Sequence, residues 1–140
     1  MNAADMLKTM QANRPPCLVT LGDGHAVAVD PEAMTAEMAF TMTPAFCHSG
    51  TVIQGGFITG MLDAAMAHAA MAGRGLGFAP LSLELKVSFL ETARPGAYRA
   101  KGRMVRMGKS IGFAEADLFD DQDRKVAVAS STIRFVPVAA

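Results

Sequence analysis

The sequence predicts an α+β domain, an antiparallel β-sheet wrapped around one long central helix. Two observations carry this reading. Residues 56–72 form one long segment rich in Ala, Met and Leu, ended by Gly73 and the breaker-rich RGLG, and an apolar character running almost all round marks a helix buried on most sides. After Pro80 the chain changes: LSLELKVSFL, AYRAKGRMVRMG, SIGFAEADLF and RKVAVASSTIRFVPV follow one another as strand-like runs, the first alternating with a period of two. A helix without a polar side needs a sheet to cover it, and four strands with short links are expected to form an antiparallel meander.

The remaining elements follow from local chemistry. Residues 3–12 read as a short outer helix that stops before Pro15 and Pro16, because proline disfavours helix in the residue before it. From Leu18 to Thr43 the pattern is strand-like, with a turn at Gly22 to Gly24 and alternation in EMAFTM until Pro44 interrupts it. Two strands are expected there, with His25 in a hairpin turn. Turn chemistry separates the later strands at ARPG, RMGK and DDQD. No repeat, low-complexity tract or long linker divides the chain, so a single domain is expected over 1–140.

Composition narrows the function classes. Thirteen basic and thirteen acidic residues cancel, so the overall field favours neither nucleic acid nor an anionic membrane as partner. With 51% hydrophobic residues and positive mean hydropathy, the chain has little polar surface to spare, and burial against another copy is expected. Cys17 and Cys47 stand without CxxC or Cys/His spacing, which suggests neither a metal site nor a disulfide framework and fits a reduced, cytoplasmic setting. The N-terminus lacks a basic stretch followed by a long apolar one, the pattern of a secretory signal. Residues 55–73 approach membrane-spanning length and place Gly56 and Gly60 in GxxxG spacing. Asp63 falls mid-run, however, where a carboxylate costs roughly 2.5–3.5 kcal/mol on insertion scales; a buried helix is the better reading.

That aspartate is the feature that points to chemistry. Asp63 is the only formally charged side chain between His48 and Arg74, and an unpaired buried carboxylate is costly enough that something must use or satisfy it. The bland explanation is a structural carboxylate that caps backbone or meets an arginine across an interface. Gly56, Gly60, Asp63 and Ala67 fall at i, i+4, i+7 and i+11 and share one small-sided helical face, which lets a second backbone approach closely. Gln54, Gly55 and Gly56 lie where the chain enters the helix, so their N–H groups carry the positive end of the dipole and are free to hold a carbonyl oxygen as it becomes negative.

Six of the thirteen basic residues, Arg94, Arg99, Lys101, Arg103, Arg106 and Lys109, lie in a stretch with no acidic residue between Thr92 and Ala114. Arg99, Lys101 and Arg103 alternate and read as a solvated outer strand face. Arg106, Gly108, Lys109 and Ser110 form a turn suited to phosphate groups. RMGKS is not a nucleotide-binding P-loop: Gly102 and Gly108 enclose five residues where that motif has four, and the flanks read as strands. His68, five residues beyond Asp63, is off its face and reads as a packed or interface histidine. The eleven methionines read as adaptable core and interface filler.

The segments HSGTVIQGGFITGMLDAAMAHA, LSLELKVSFLETARPG and GRMVRMGKSIGFAEADL closely resemble the hotdog-fold acyl-CoA thioesterases of the phenylacetate-degradation (PaaI-like) type. The resemblance covers roughly residues 40–136 and rests on a glycine-rich loop, two glycines, and an acidic residue seven positions after the second. It implies hydrolysis of a CoA thioester in a site shared between two subunits of a dimer or dimer of dimers, with no metal or redox cofactor. By the same resemblance Asp63 matches the family's catalytic carboxylate, acting as base or nucleophile. Gly55 matches the glycine whose N–H polarises the carbonyl, and Gln54 and Gly56 flank it. His48 stands where many members have a substrate-positioning asparagine, and Ser82 matches a serine or threonine that places the attacking water.

One position departs from the family pattern. The usual loop ends in His-Gly-Gly, whereas Gln54 precedes the two glycines here, and an amide is no base near neutral pH. Two other activities remain open on the sequence: a non-catalytic acyl-CoA-binding protein, and a hotdog dehydratase acting on hydroxyacyl thioesters.

Overall fold

The computed structural model describes residues 1–138; the last two residues of the expected domain 1–140 lie outside the described residues. Helix α1 spans Ala3–Ala12, begun by Asn2, whose side chain accepts the Asp5 N–H at 2.8 Å. A short α2 follows at Pro16–Thr20, then β1 (His25–Asp30) and β2 (Thr35–Met42). A 3-10 turn at Pro44–Phe46 leads into the small hairpin β3 (Cys47–Ser49) and β4 (Val52–Ile53). The long helix α3 covers Gly55–Arg74, and four strands complete the chain: β5 (Phe78–Phe89), β6 (Gly96–Met107), β7 (Ile111–Phe119) and β8 (Lys125–Pro137). Among the described residues no helix is long and apolar enough to cross a membrane.

The main sheet has six strands in the order β1-β2-β6-β7-β8-β5, and every neighbouring pair is antiparallel. It curls around α3, as the fold class predicts. Small residues make the wrap tight. Ala100 and Gly102 of β6, Ala114 and Ala116 of β7 and Ala127 of β8 are buried toward a helix that offers Ala65, Ala69 and Ala70. A Cβ built on Gly102 would stand 2.3 Å from the Ala65 carbonyl oxygen, so only glycine admits the helix at that crossing. Met38, Met61, Leu62, Met66, Leu118 and Ile133 are fully buried between the layers, each worth about 1.5–3 kcal/mol in transfer from water.

Four local expectations need correction. The last four strands are not one meander: β6, β7 and β8 are, but β5 pairs with β8 at the sheet edge instead of with β6. The reason is the link after β5, where the Leu90 N–H bonds the Val126 carbonyl and the Ala93 carbonyl accepts from Ile53. This link crosses the sheet end rather than turning back. The helix starts at Gly55 and passes through Gly73, whose missing side chain makes room for Met34 and Met107. Gly75, with φ 100°, ends it instead. Leu18, Val19 and Thr20, read as the start of the strand-like region, instead end α2, because Pro16 opens a helical turn. His25 begins β1 instead of sitting in the hairpin turn, and its Nδ1 lies 2.9 Å from the Asp23 carbonyl oxygen.

Two features bear on the site. First, α3 is not covered all round. The stripe carrying Gly56, Gly60, Asp63, Ala67 and Arg74 is half-buried or exposed, whereas Met61, Ala65, Met66 and Ala69 on the sheet side are sealed. Second, β5 is an edge strand of twelve residues, exposed along most of its length, with Leu81, Leu83 and Phe89 each more than half exposed.

Candidate active site

The site is built where α3 meets β5. Asp63 projects from the open stripe in the third turn of the helix, and the bulge in β5 between Ser82 and Glu84 sets Ser82 against it. The Ser82 hydroxyl donates to Asp63 Oδ1 at 2.6 Å. Among the described residues no lysine, arginine or histidine pairs with Asp63. Nor, among the described residues, does Asp63 accept a backbone N–H, so the structural explanation of a carboxylate that caps backbone is not what is seen. A half-buried carboxylate with one hydroxyl partner keeps acceptor capacity free for a water or a substrate group.

At the helix N-terminus, Gln54 is the capping residue in extended conformation (φ −65°, ψ 137°), and its side chain makes no capping bond. Its own N–H is taken by the Phe46 carbonyl at 2.9 Å. Among the described residues no acceptor takes the N–H of Gly55 or Gly56, so both point outward at the positive end of a twenty-residue helix. A Cβ on Gly55 would stand 3.0 Å from the Phe89 ring. The glycine thus lets the Phe89 ring at the end of β5 pack closely against the first residue of α3.

Around them opens a cleft of ≈ 510 Å³ lined by His48, Ile53, Gly55, Ile58, Phe89 and the link residues 90–93. His48 is exposed in β3, its Nδ1 2.9 Å from the Ser49 hydroxyl. Arg94 donates to the Thr51 hydroxyl, which ties the link to the loop. A hollow of ≈ 650 Å³ lies on the outer sheet face among Glu37, Arg99, Lys101 and Asp121, but its two cations are already paired: Arg99 and Lys101 with Glu37 at 2.9 and 3.6 Å. Arg103 joins them by pairing with Glu115 and Asp117 at 3.1 and 3.0 Å. That is the solvated strand face expected of Arg99, Lys101 and Arg103.

The fold therefore brings Asp63 and Ser82 together, and separately gathers His48, Gln54, Gly55 and Gly56. It holds these groups apart: eight residues of helix separate Gly55 from Asp63, about 12 Å along the axis. Arg106, Gly108, Lys109 and Ser110 lie at the β6–β7 turn, beside the other end of α3, where Arg74 donates to the Gly108 carbonyl. His68 is buried in the core, its Nδ1 donating to the Ala64 carbonyl at 2.7 Å, and burial pushes its pKa below the ordinary value. Phe89 and the 90–93 link escaped the sequence reading. The pair of bulky apolar residues Phe89-Leu90 at a strand end was the available signal.

With the geometry in place, the comparisons decide the family. The model of the thioesterase superfamily matches residues 50–127, which span the helix N-terminus, Asp63, Ser82 and the β6–β7 turn. The chain belongs to the thioesterase superfamily. It is thereby a thioester hydrolase by class, of the hotdog fold and the PaaI-like type. Among solved structures, the phenylacetic acid degradation-related protein of Ralstonia eutropha JMP134 is 30% identical, with a TM-score of 0.83 over 94% of this chain and 97% of that one. The PaaI protein from the phenylacetic acid degradation operon of E. coli shares the fold at 19% identity, TM-score 0.82, over 98% of this chain and 94% of its own. Thioesterase HI1161 of Haemophilus influenzae does so at 14% identity, TM-score 0.80, over 100% and 94%. No curated protein matches the chain. Within this superfamily the class of small molecule acted on is a CoA-type thioester.

Proposed function

We propose that this thioesterase hydrolyses an acyl-CoA in a site completed by a second copy of the chain, with Asp63 of one subunit facing the Gly55 N–H of the other. The observation that carries the reading is the spacing of these two groups. An N–H must come within about 3 Å of the thioester oxygen, and a base within about 3 Å of the water it activates. One carbonyl does not bridge about 12 Å of helix. A two-fold axis beside β5 removes the difficulty: it pairs the exposed edge strands, sets the two α3 helices antiparallel, and brings the N-terminus of one against Asp63 of the other. The half-covered small-residue stripe of α3 and the apolar, exposed β5 support this pairing.

In this site Asp63 takes a proton from water as its oxygen bonds to the thioester carbon, and Ser82 holds the carboxylate and water in line. The developing oxyanion is held by the Gly55 N–H, with Gly56 and Gln54 beside it. Collapse breaks the C–S bond and releases the carboxylic acid and CoA, whose thiolate takes up a proton. In the nucleophilic variant Asp63 bonds to the carbonyl carbon first, the C–S bond breaks to expel the CoA thiolate, which takes up a proton, and water then cleaves the resulting anhydride to the free acid and the Asp63 carboxylate. His48 borders the cleft that receives the substrate. The scheme uses only water and groups of the chain itself. Arg106, Gly108, Lys109 and Ser110 hold the CoA phosphates. From Asp63 to Arg74, beside this turn, runs eleven residues of helix, about 17 Å, on the order of an extended pantetheine arm. A cytoplasmic setting fits the two free cysteines.

The test is thiol release from a panel of aryl, short and medium acyl-CoAs by the wild type and by Asp63→Asn. Release by the wild type and its near loss in the variant are expected. Full hydrolysis by Asp63→Asn would overturn the assignment, and binding without release would point to a carrier.

A further inference from the structure

Arg74 is a cation that nothing in the proposed chemistry uses, yet the fold surrounds it closely. It is the last residue of α3, and it extends the stripe of Gly56 and Asp63, since eighteen residues make five full turns. Its guanidinium lies over two rings, 4.5 Å from the Phe135 centroid and 5.6 Å from that of Phe78. One terminal nitrogen donates to the Gly108 carbonyl. Its Nε is buried and, among the described residues, has no acceptor. A basic residue in a last helical turn is ordinary for the dipole, but that role needs neither stacking nor a buried donor.

The turn that Arg74 touches is the one carrying Arg106 and Lys109. It is held at two further points: the Gly108 N–H donates to Ile111 O at 3.0 Å, and the Ser110 carbonyl accepts from Phe135 N at 2.9 Å. Phe135 thus grips Ser110 by its backbone and Arg74 by its ring. The side chains of Arg106 and Lys109 themselves are exposed and carry no salt bridge among the described residues.

We infer that Arg74 is a positioning residue for substrate binding, clamped between Phe78 and Phe135 so that it fixes the Gly108 carbonyl and aims Arg106 and Lys109 at the phosphates of CoA. It touches no substrate atom. The inference rests on the reading that the nucleotide end of CoA lies at this turn, and it adds which residue makes the turn rigid enough to select it. Preorganised cations bind a phosphate with less ordering cost than mobile ones, so loss of the clamp acts on the nucleotide end of the substrate alone.

The experiment compares an acyl-CoA with the same acyl group on N-acetylcysteamine, a thioester that ends before the nucleotide. Arg74→Met is expected to raise KM for the CoA ester about tenfold, with kcat and the short thioester changed less than about twofold. Combined with Lys109→Ala it should add little, since both act through one turn. Equal loss on both thioesters, no loss on either, or full additivity with Lys109→Ala would overturn the inference. Arg74→Lys keeps the charge at the helix end but not the planar fork. It should show the same selective defect, and a wild-type KM in this variant would overturn the inference even if Arg74→Met fails to fold. The double variant Arg106→Ala/Lys109→Ala in the wild-type background tests the underlying reading separately: if it leaves the two thioesters equally affected, the phosphates lie elsewhere.

Discussion

The Ser82 hydroxyl donates to Asp63 Oδ1 at 2.6 Å, tying the open stripe of α3 to the edge strand β5. Asp63→Asn keeps the size of the side chain and removes its basicity, so kcat should fall about a thousandfold. Unfolding free energy should change by no more than about 1 kcal/mol. Ser82→Ala should lower kcat about tenfold, and the double variant should be no worse than Asp63→Asn alone, because the serine acts through the carboxylate. Steady-state thiol release and urea unfolding read both quantities.

Gly55 permits a substitution that removes one N–H and little else. Gln54 already has the extended backbone that a residue before proline adopts, and proline suits the first helical position. Gly55→Pro should therefore leave α3 in place while lowering kcat about a hundredfold or more, the cost of one lost oxyanion donor. Gly55→Ala is the control: it makes the same close contact with the Phe89 ring but keeps the donor, and the difference between the two variants isolates the N–H. Equal activities would remove Gly55 from the mechanism.

A site shared across a two-fold axis has a signature in mixtures. Asp63→Asn and Gly55→Pro homodimers should each be nearly inactive. Unfolded together and refolded, they should recover about a quarter of wild-type turnover, since half the dimers are mixed and one of the two sites in each is intact. No recovery in mixtures shown to contain heterodimers would mean that both groups act within one chain.

His68 links stability to acid. Its pKa is lowered from the ordinary value of 6.5, chiefly by burial, which disfavours the imidazolium, against the raising effect of its bond to Ala64. The unfolded chain therefore binds a proton at a higher pH than the native one, so stability rises with pH in that window. The contribution is intact above about pH 6.5 and is lost as pH falls from there toward the lower native value. His68→Leu should flatten the dependence of the urea midpoint between pH 7 and 5 relative to the wild type. An unchanged slope would show that other groups dominate.

Local chemistry made much of this protein legible in advance. α1 was readable at its two ends, and the long helix from its Ala, Met and Leu content, within one or two residues. The strands after Pro80 showed in their alternation. What the chain did not reveal was pairing: the ladder of β5 with β8 depends on the 90–95 link crossing the sheet end, and no single-strand pattern encodes which partner a strand will meet. Phe89 and Arg74 were missed for a related reason. A phenylalanine at a strand end and an arginine at a helix end have ordinary local explanations, and only packing puts one over Gly55 and the other between two rings.

By itself the sequence determined the element types, the family motif and the lone carboxylate, because period, capping and the cost of an unpaired charge act within a few residues of chain. The tertiary structure decided that Asp63 meets Ser82 and that the β6–β7 turn lies at the far end of α3. These are contacts between residues far apart in the chain. Close packing of small side chains between sheet and helix fixes them, leaving one stripe and one strand edge uncovered.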